Sequence, residues 1–236
     1  MKHLLLLLCL LLAYLPMQAQ KLYPELKAYC QKIEKEFDLI STERKENLQQ
    51  ISAYLKEKIA GNEEASLVFI CTHNSRRSQF AQVWANIAAT YYKFDLAKIQ
   101  AFSGGTEATA CNPRTVACLQ RTGVQIEKIN QISAPVTVAD NPRYEVRIGK
   151  KATPFYLFSK KYDDNQNPSK NFCAVLVCSQ ADGACPAVAG AGKRIYHGYG
   201  DPKYADKTAT ENQVYDETCQ LIAREILYVF YGAKKI

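Results

Sequence analysis

An unbroken apolar run, SLVFIC at residues 66–71, ends on a cysteine, and six residues further on an arginine opens a stretch with helical periodicity, SQFAQVWANIAATYYKF. β-Branched and aromatic residues without polar alternation read as a strand buried on both faces, and such a strand needs helices to cover it. The turn between the two elements, CTHNSRR, then lies where an α/β fold aims backbone N–H groups and the positive end of a helix dipole at one point. Such a point suits a phosphate-like anion.

The rest of the chain repeats this alternation. IQAFSGG, FCAVLVCS and KRIYH are predicted as further strands. NPRTVACLQRTG is predicted as a short helix with Pro113 in its first turn and Gly123 closing it, and a helix from about Thr210 to Tyr231 ends the chain. The expected fold is α/β: a four-stranded parallel sheet with helices on both faces. Residues 20–62 are charged, with apolar positions at Ile33, Phe37, Ile40, Leu48, Ile51 and Leu55, which predicts a helical extension, two helices stopped near Gly61 and Asn62. Within the main domain, residues 63–236, an insertion of about 126–171 carries RYEVRIG and TPFYLFS, a β-hairpin pattern, followed by the loop-like KKYDDNQNPSKN.

The first residues, MKHLLLLLCLLLAYLPMQAQ, place Lys2 and His3 before an apolar run and a small residue at Ala19. This predicts a signal peptide over 1–19, cleaved before Gln20, and an exported protein, periplasmic if bacterial. A stable membrane span is not expected, because Leu4 to Leu15 is shorter than the roughly 20 residues a spanning helix needs. Cleavage removes Lys2 and Cys9, lowering the net charge of +7 by one and leaving eight of the nine cysteines. That balance is spread along the chain without a dense basic block, so no nucleic-acid partner is expected. Several cysteines lie inside apolar patterns such as TVACLQ and FCAVLVC, where a buried thiol behaves as a small hydrophobe.

Cys71 stands at the entrance of the turn and Arg77 at its exit, and no other cysteine of the chain has an arginine six residues on. Helix N-termini and nearby cations favour the thiolate, the nucleophilic form of cysteine. An arginine at the exit presents two donors to a tetrahedral oxyanion and keeps its central atom in line with the sulfur. The amides of Thr72, His73, Asn74, Ser75 and Arg76 complete the loop, and Ser78 can hydrogen-bond the thiolate. No metal or cofactor is expected.

The stretch VFICTHNSRRSQFAQ resembles the nucleophile loop shared by low-molecular-weight protein tyrosine phosphatases and thioredoxin-coupled arsenate reductases, with Cys71, Asn74, Arg77 and Ser78 on the motif positions. The resemblance runs from about Ser66 to Gly232, interrupted by the insertion. It implies a small parallel sheet with the loop after its first strand, and a general-acid aspartate in an Asp-Pro pair, matched by Asp201 and Pro202 in HGYGDPKY. Lys203, with Tyr204 after it, stands where the phosphatases often carry aromatic residues. CSQADGACP resembles the relay segment of the reductases, which implies that Cys178 and Cys185 pass a disulfide from Cys71 to a thioredoxin-like reductant. SGGTEATACNPR also resembles that branch. Gln82 departs from it, standing where reductases often place a glutamate near a potassium site.

The expected activity is therefore that of an exported arsenate reductase-like enzyme, with a phosphate- or arsenate-type oxyanion as substrate. A phosphatase using Cys71, Arg77 and Asp201, with Cys178 and Cys185 joined as a static disulfide or buried as inert thiols, remains the alternative. A non-catalytic oxyanion-binding module is the second. His197, at a strand end, reads as structural.

Overall fold

The computed structural model describes residues 21–129 and 141–235. The predicted signal peptide, 1–19, lies outside them, as does part of the insertion. Among the described residues no helix is long and apolar enough to cross a membrane.

Strand β1 (Ala65–Cys71) occupies the middle of a parallel sheet between β2 (Ile99–Gly105) and β6 (Phe172–Leu176), with β7 (Ala191–Tyr196) beyond β6. The order β2-β1-β6-β7 puts a topological switch at β1, because the chain leaves it in one direction toward β2 and returns on its other side with β6. In open α/β sheets ligands bind at the carboxyl ends of the strands at such a point. Cys71 is the last residue of β1, so the fold delivers it there. β1 and β6 are buried along nearly their whole length, as unalternated apolar runs require.

Helix α3 (Arg77–Tyr91) covers β1 and β2, and α6 (Glu211–Lys234) packs on α3. The N-terminal extension forms α1 (Pro24–Glu34), a 3₁₀ turn (Phe37–Leu39) and α2 (Thr42–Ala60). Pro24 pre-sets the first turn of α1, and Ser41 accepts from the Arg44 amide to cap α2. Leu48, Ile51 and Leu55 recur on one face of α2 and, with Leu26 and Ile33 of α1, are completely buried in the core that α6 enters with Ile222, Leu227 and Phe230. The extension thus shares the core of the main domain.

Short helix α4 (Pro113–Arg121) starts at Asn112, whose side chain accepts from the Arg114 amide, and is followed by Gly123 at φ 94°. The predicted hairpin is present as β4 (Arg143–Arg147) and β5 (Phe155–Leu157), but the sequence pattern missed a partner. β3 (Gln125–Ile129) pairs antiparallel with β4, making a three-stranded sheet. Its pattern is hard to see because Ile126 alone is buried while Gln125, Glu127 and Lys128 are exposed. After β5 the chain turns back to the main sheet, where the Tyr162 amide donates to Gly105 O and the Gly105 amide donates to Lys160 O.

Glu225 of α6 has no exposed side-chain surface and receives both Nε and an Nη of Arg44 from α2, with His197 Nε2 2.7 Å away. Burial alone would raise its carboxyl, but the hydrogen bonds and charges of Arg44 and His197 outweigh it and hold the group at about 2. A carboxyl lowered on folding contributes stability that is complete above its unfolded value near 4.5 and is lost as pH falls toward 2. The neighbours that set this behaviour are Arg44, His197 and Tyr199. Thermal unfolding between about pH 5 and about pH 3 should therefore fall more steeply for the native chain than for Glu225→Gln, which has no proton to take up there.

Candidate active site

Between Cys71 and the start of α3, each carbonyl of the loop is engaged from outside it. The Thr106 amide donates to Cys71 O at 3.1 Å, and the Glu107 amide and Thr106 hydroxyl donate to Thr72 O at 2.8 and 3.2 Å. Hydroxyls of Ser159 and Thr109 reach His73 O at 2.8 and 3.2 Å, and the Gln79 side chain reaches Asn74 O at 2.8 Å. Ser75 O accepts from the Asn112 amide at 3.1 Å and from the Thr115 hydroxyl at 3.3 Å. In a planar trans peptide the N–H points away from the C=O. The amides of residues 72 to 76 are therefore turned to the inner side of the loop, where they form a cradle of donors for an anion.

Asn74 holds the loop's tightest point at φ 46°, a left-handed conformation that asparagine tolerates better than most residues. Its Oδ1 accepts from the Lys160 amide at 3.0 Å, which leaves Nδ2 to donate to Ser78 Oγ at 2.8 Å. With its oxygen accepting from Asn74, Ser78 has its own O–H to donate to Cys71 Sγ, 3.1 Å away. Lys160 is itself buried, and its ammonium is pulled down to about 8 by that burial, lying 4.6 Å over the Phe158 ring.

Arg77, the first residue of α3, is buried. Its Nη1 donates to Tyr199 O at 3.1 Å and its Nη2 to Asp201 Oδ2 at 2.7 Å. Its Nε–H is buried without a hydrogen-bond partner among the described residues. An unsatisfied buried N–H of a guanidinium is costly, and an oxyanion over Cys71 would supply its acceptor. Asp201 thus reaches the site at the arginine, while its Oδ1 accepts from the Lys203 amide and caps the short turn Pro202–Ala205. His73 extends outward to within 3.6 Å of Glu107 and contributes its backbone, and Arg76 bonds Tyr215 and Asp206.

Ile70 of β1 is level with Leu176 of β6, so Cys178, two residues beyond β6, leaves the sheet at the same edge as Cys71. Its sulfur lies 3.5 Å from Thr72 Oγ1 and accepts from the Ala181 amide, capping helix α5 (Ser179–Ala184). Cys185 sits at the other end of α5, its carbonyl held by Arg194 Nε at 3.0 Å. Burial pushes the Cys185 thiol up, opposed by the Arg194 charge. Loop, arginine, acid and Cys178 are brought together, and Cys185 is set one short helix away.

No family model matches the chain. The arsenate reductase of Bacillus cereus (strain 03BB102) is 28% identical to it over 160 residues, 67% of this chain and 92% of that protein. Arsenate reductase 2 of Staphylococcus haemolyticus (strain JCSC1435) is 26% identical over 140 residues, 59% of this chain and 80% of that one. Both of these relatives are arsenate reductases, and the chain is similar to them. Among solved structures, the solution structure of a low-molecular-weight protein tyrosine phosphatase from Bacillus subtilis is similar over 72% of this chain and 97% of its own, at 14% identity and a TM-score of 0.47.

Further thiols lie in the core. Burial pushes Cys30, Cys111 and Cys173 up to about 12, which leaves them as small hydrophobes of the core. The residues that sequence reasoning missed are those that clamp the loop from outside. Asn112 and Thr115 carried a signal, as the cap and first turn of a helix readable from Pro113. Ser159 and Thr109 carried none, since a hydroxyl in a polar stretch gives no hint of its distant partner. Removing the donor to sulfur tests this arrangement. Ser78→Ala should slow alkylation of Cys71 by iodoacetamide at mildly acid pH by about tenfold, the scale of one hydrogen bond to a charged group, and Asn74→Ala should slow it in the same direction.

Proposed function

We propose that this chain is an exported, arsenate reductase-like enzyme in which Cys71, Cys178 and Cys185 form a thiol relay, with a thioredoxin-like dithiol protein as its reductant. It is a cysteine-dependent enzyme of the arsenate reductase or low-molecular-weight phosphatase kind. The observation that carries the finer reading is the Cys178 sulfur, 3.5 Å from the hydroxyl of Thr72, the residue next to Cys71 on the oxyanion loop. Export is supported by the signal-like first 19 residues.

In this reading the loop amides and Arg77 hold arsenate, and the Cys71 thiolate attacks arsenic, forming an S–As(V) bond as one oxygen leaves as water with the protons taken up. The Cys178 thiolate then attacks the Cys71 sulfur. The S–As electron pair returns to arsenic, which departs as arsenite, As(III), and Cys71–Cys178 is left as a disulfide. Cys185 attacks the Cys178 sulfur, freeing the Cys71 thiolate and forming Cys178–Cys185, which the external dithiol reduces by exchange.

Cys178 and Cys185, the caps at either end of α5, are seven positions apart, about 10 Å at the helical rise, beyond the roughly 7 Å between Cα atoms that a disulfide tolerates. The third step therefore requires α5 to unwind. The helix is six residues long, contains Gly183, and is capped by sulfur, a weak acceptor. A Cβ at Gly183 would meet nothing within 4 Å. Gly183→Ala should thus firm the helix by about 0.5–1 kcal/mol and slow arsenate turnover about two- to fivefold, leaving ester hydrolysis unchanged.

A second reading, hydrolysis of phosphate monoesters through a phosphocysteine, is supported by Asp201, whose carboxyl group lies 2.7 Å from Arg77 and, in its protonated form, would give its proton to the leaving alkoxide and remain as carboxylate. Purified reduced protein, given arsenate with a thioredoxin recycling system and separately p-nitrophenyl phosphate, separates the two. Arsenite release lost in Cys71→Ser and Cys178→Ser, with multiple turnover lost in Cys185→Ser, is the expected result. Hydrolysis that needs Cys71 and ignores the other two cysteines would make the chain a phosphatase, and no turnover of either kind would make it an oxyanion-binding module.

A further inference from the structure

The segment His197–Asp201 reads HGYGD, a tyrosine between two glycines followed by the aspartate that meets Arg77. Its backbone is intrinsically permissive, and Gly200 in particular has nothing within 4 Å of where a Cβ would stand. Yet the hydrogen bonds that orient Arg77 run to acceptors of this segment, Tyr199 O and Asp201 Oδ2. Something outside it must fix its path. The bonds from His197 N to Leu176 O and from Tyr199 N to Val177 O continue the β6–β7 pairing as far as Tyr199.

The other clamp comes from the N-terminal extension. Arg44 of α2 donates Nη1 to Gly198 O at 3.2 Å, and its guanidinium lies 5.2 Å over the Tyr199 ring. The guanidinium is itself held by both oxygens of Glu225 and lies 2.8 Å from His197 Nε2. Glu225 of α6, His197 and the Tyr199 ring thus surround the one guanidinium that bonds the Gly198 carbonyl, a residue before the carbonyl that holds Arg77 Nη1. A run of contacts leads from the extension to the anion-binding arginine: Arg44, Gly198–Tyr199, Arg77.

We propose that Arg44 is a positioning residue for Arg77, fixing the Gly198–Tyr199 backbone so that the guanidinium meets the bound oxyanion in one orientation. The inference rests on the reading of the Cys71 loop as an oxyanion site, and it gives the helical extension a role in that site. Arg44 touches no reacting atom. Its effect is expected in oxyanion affinity.

The probe is inorganic phosphate, and the readout is the concentration that half-protects Cys71 from iodoacetamide, with the alkylated site located by mass spectrometry on the full chain. Arg44→Met alone would strand the Glu225 carboxylate in the core, so Arg44→Met is combined with Glu225→Gln. Arg44→Lys is the second variant: it keeps a charge for Glu225 and lacks the planar fork that reaches both the carboxylate and Gly198 O. Thermal unfolding identifies which variants are folded. Folded variants should need about tenfold more phosphate for half-protection, the scale of one charge-assisted hydrogen bond. Native-like protection in a folded variant would overturn the role of Arg44 while leaving the oxyanion site intact. Absence of phosphate protection in the native chain would overturn the oxyanion site itself and this inference with it.

Discussion

The orientation of five consecutive peptides, Cys71 to Ser75, is the constraint on which the site depends. A single flipped peptide would replace an N–H donor by a carbonyl oxygen at the place proposed for the anion. Each hydrogen bond that prevents this is worth only about 0.5–1.5 kcal/mol, so the loop is fixed by their number and by the diversity of their sources. The donors come from the segment after β2 (Thr106, Glu107, Thr109), from the start of α4 (Asn112, Thr115), from α3 itself (Gln79) and from the exit of the inserted sheet (Ser159). The insertion is therefore part of the loop's support. The Lys160 amide adds to it by fixing the Asn74 side chain that in turn orients Ser78 toward Cys71.

Much of the fold was legible because its signals are local. The unalternated run SLVFIC, the 3.6-residue period after Arg77, Pro113 at a first turn and the spacing of Leu48, Ile51 and Leu55 each depend on neighbours within one element. The placing of Cys71, Arg77 and Ser78 around one loop was legible for the same reason, since a strand–loop–helix unit sets their positions by chain geometry alone. Pairings across the molecule were not. Arg44 lies in TERKEN, a run that reads as a solvated helix face, and Glu225 lies in REILYVF, where one charge among apolar residues has no visible partner. The two meet over 181 residues of sequence. β3 escaped notice because a strand exposed on one side with a single buried residue leaves little alternation to detect. Asp201 was identified by the resemblance of its Asp-Pro pair, while its ion pair with Arg77 is a property of the folded chain.

The two halves of the proposed relay are held in opposite ways. Around Cys71 the backbone is over-determined, and a nucleophile that must attack a bound anion in line gains from that rigidity. Around Cys178 and Cys185 the backbone is lightly held: only Ala181 of α5 is fully buried, the cap is a sulfur, and Arg194, bonded to Asp182 and to the Cys185 carbonyl, is the main tie of its last turn to β7. A hydrolase using Cys71 and Asp201 has no use for a helix that comes apart. A disulfide that must migrate from one end of that helix to the other requires it, because the intact helix between Cys178 and Cys185 keeps the two sulfurs out of bonding range. The contrast between a clamped loop and a marginal helix, joined through the Thr72–Cys178 contact, is the physical ground for preferring the relay over simple hydrolysis.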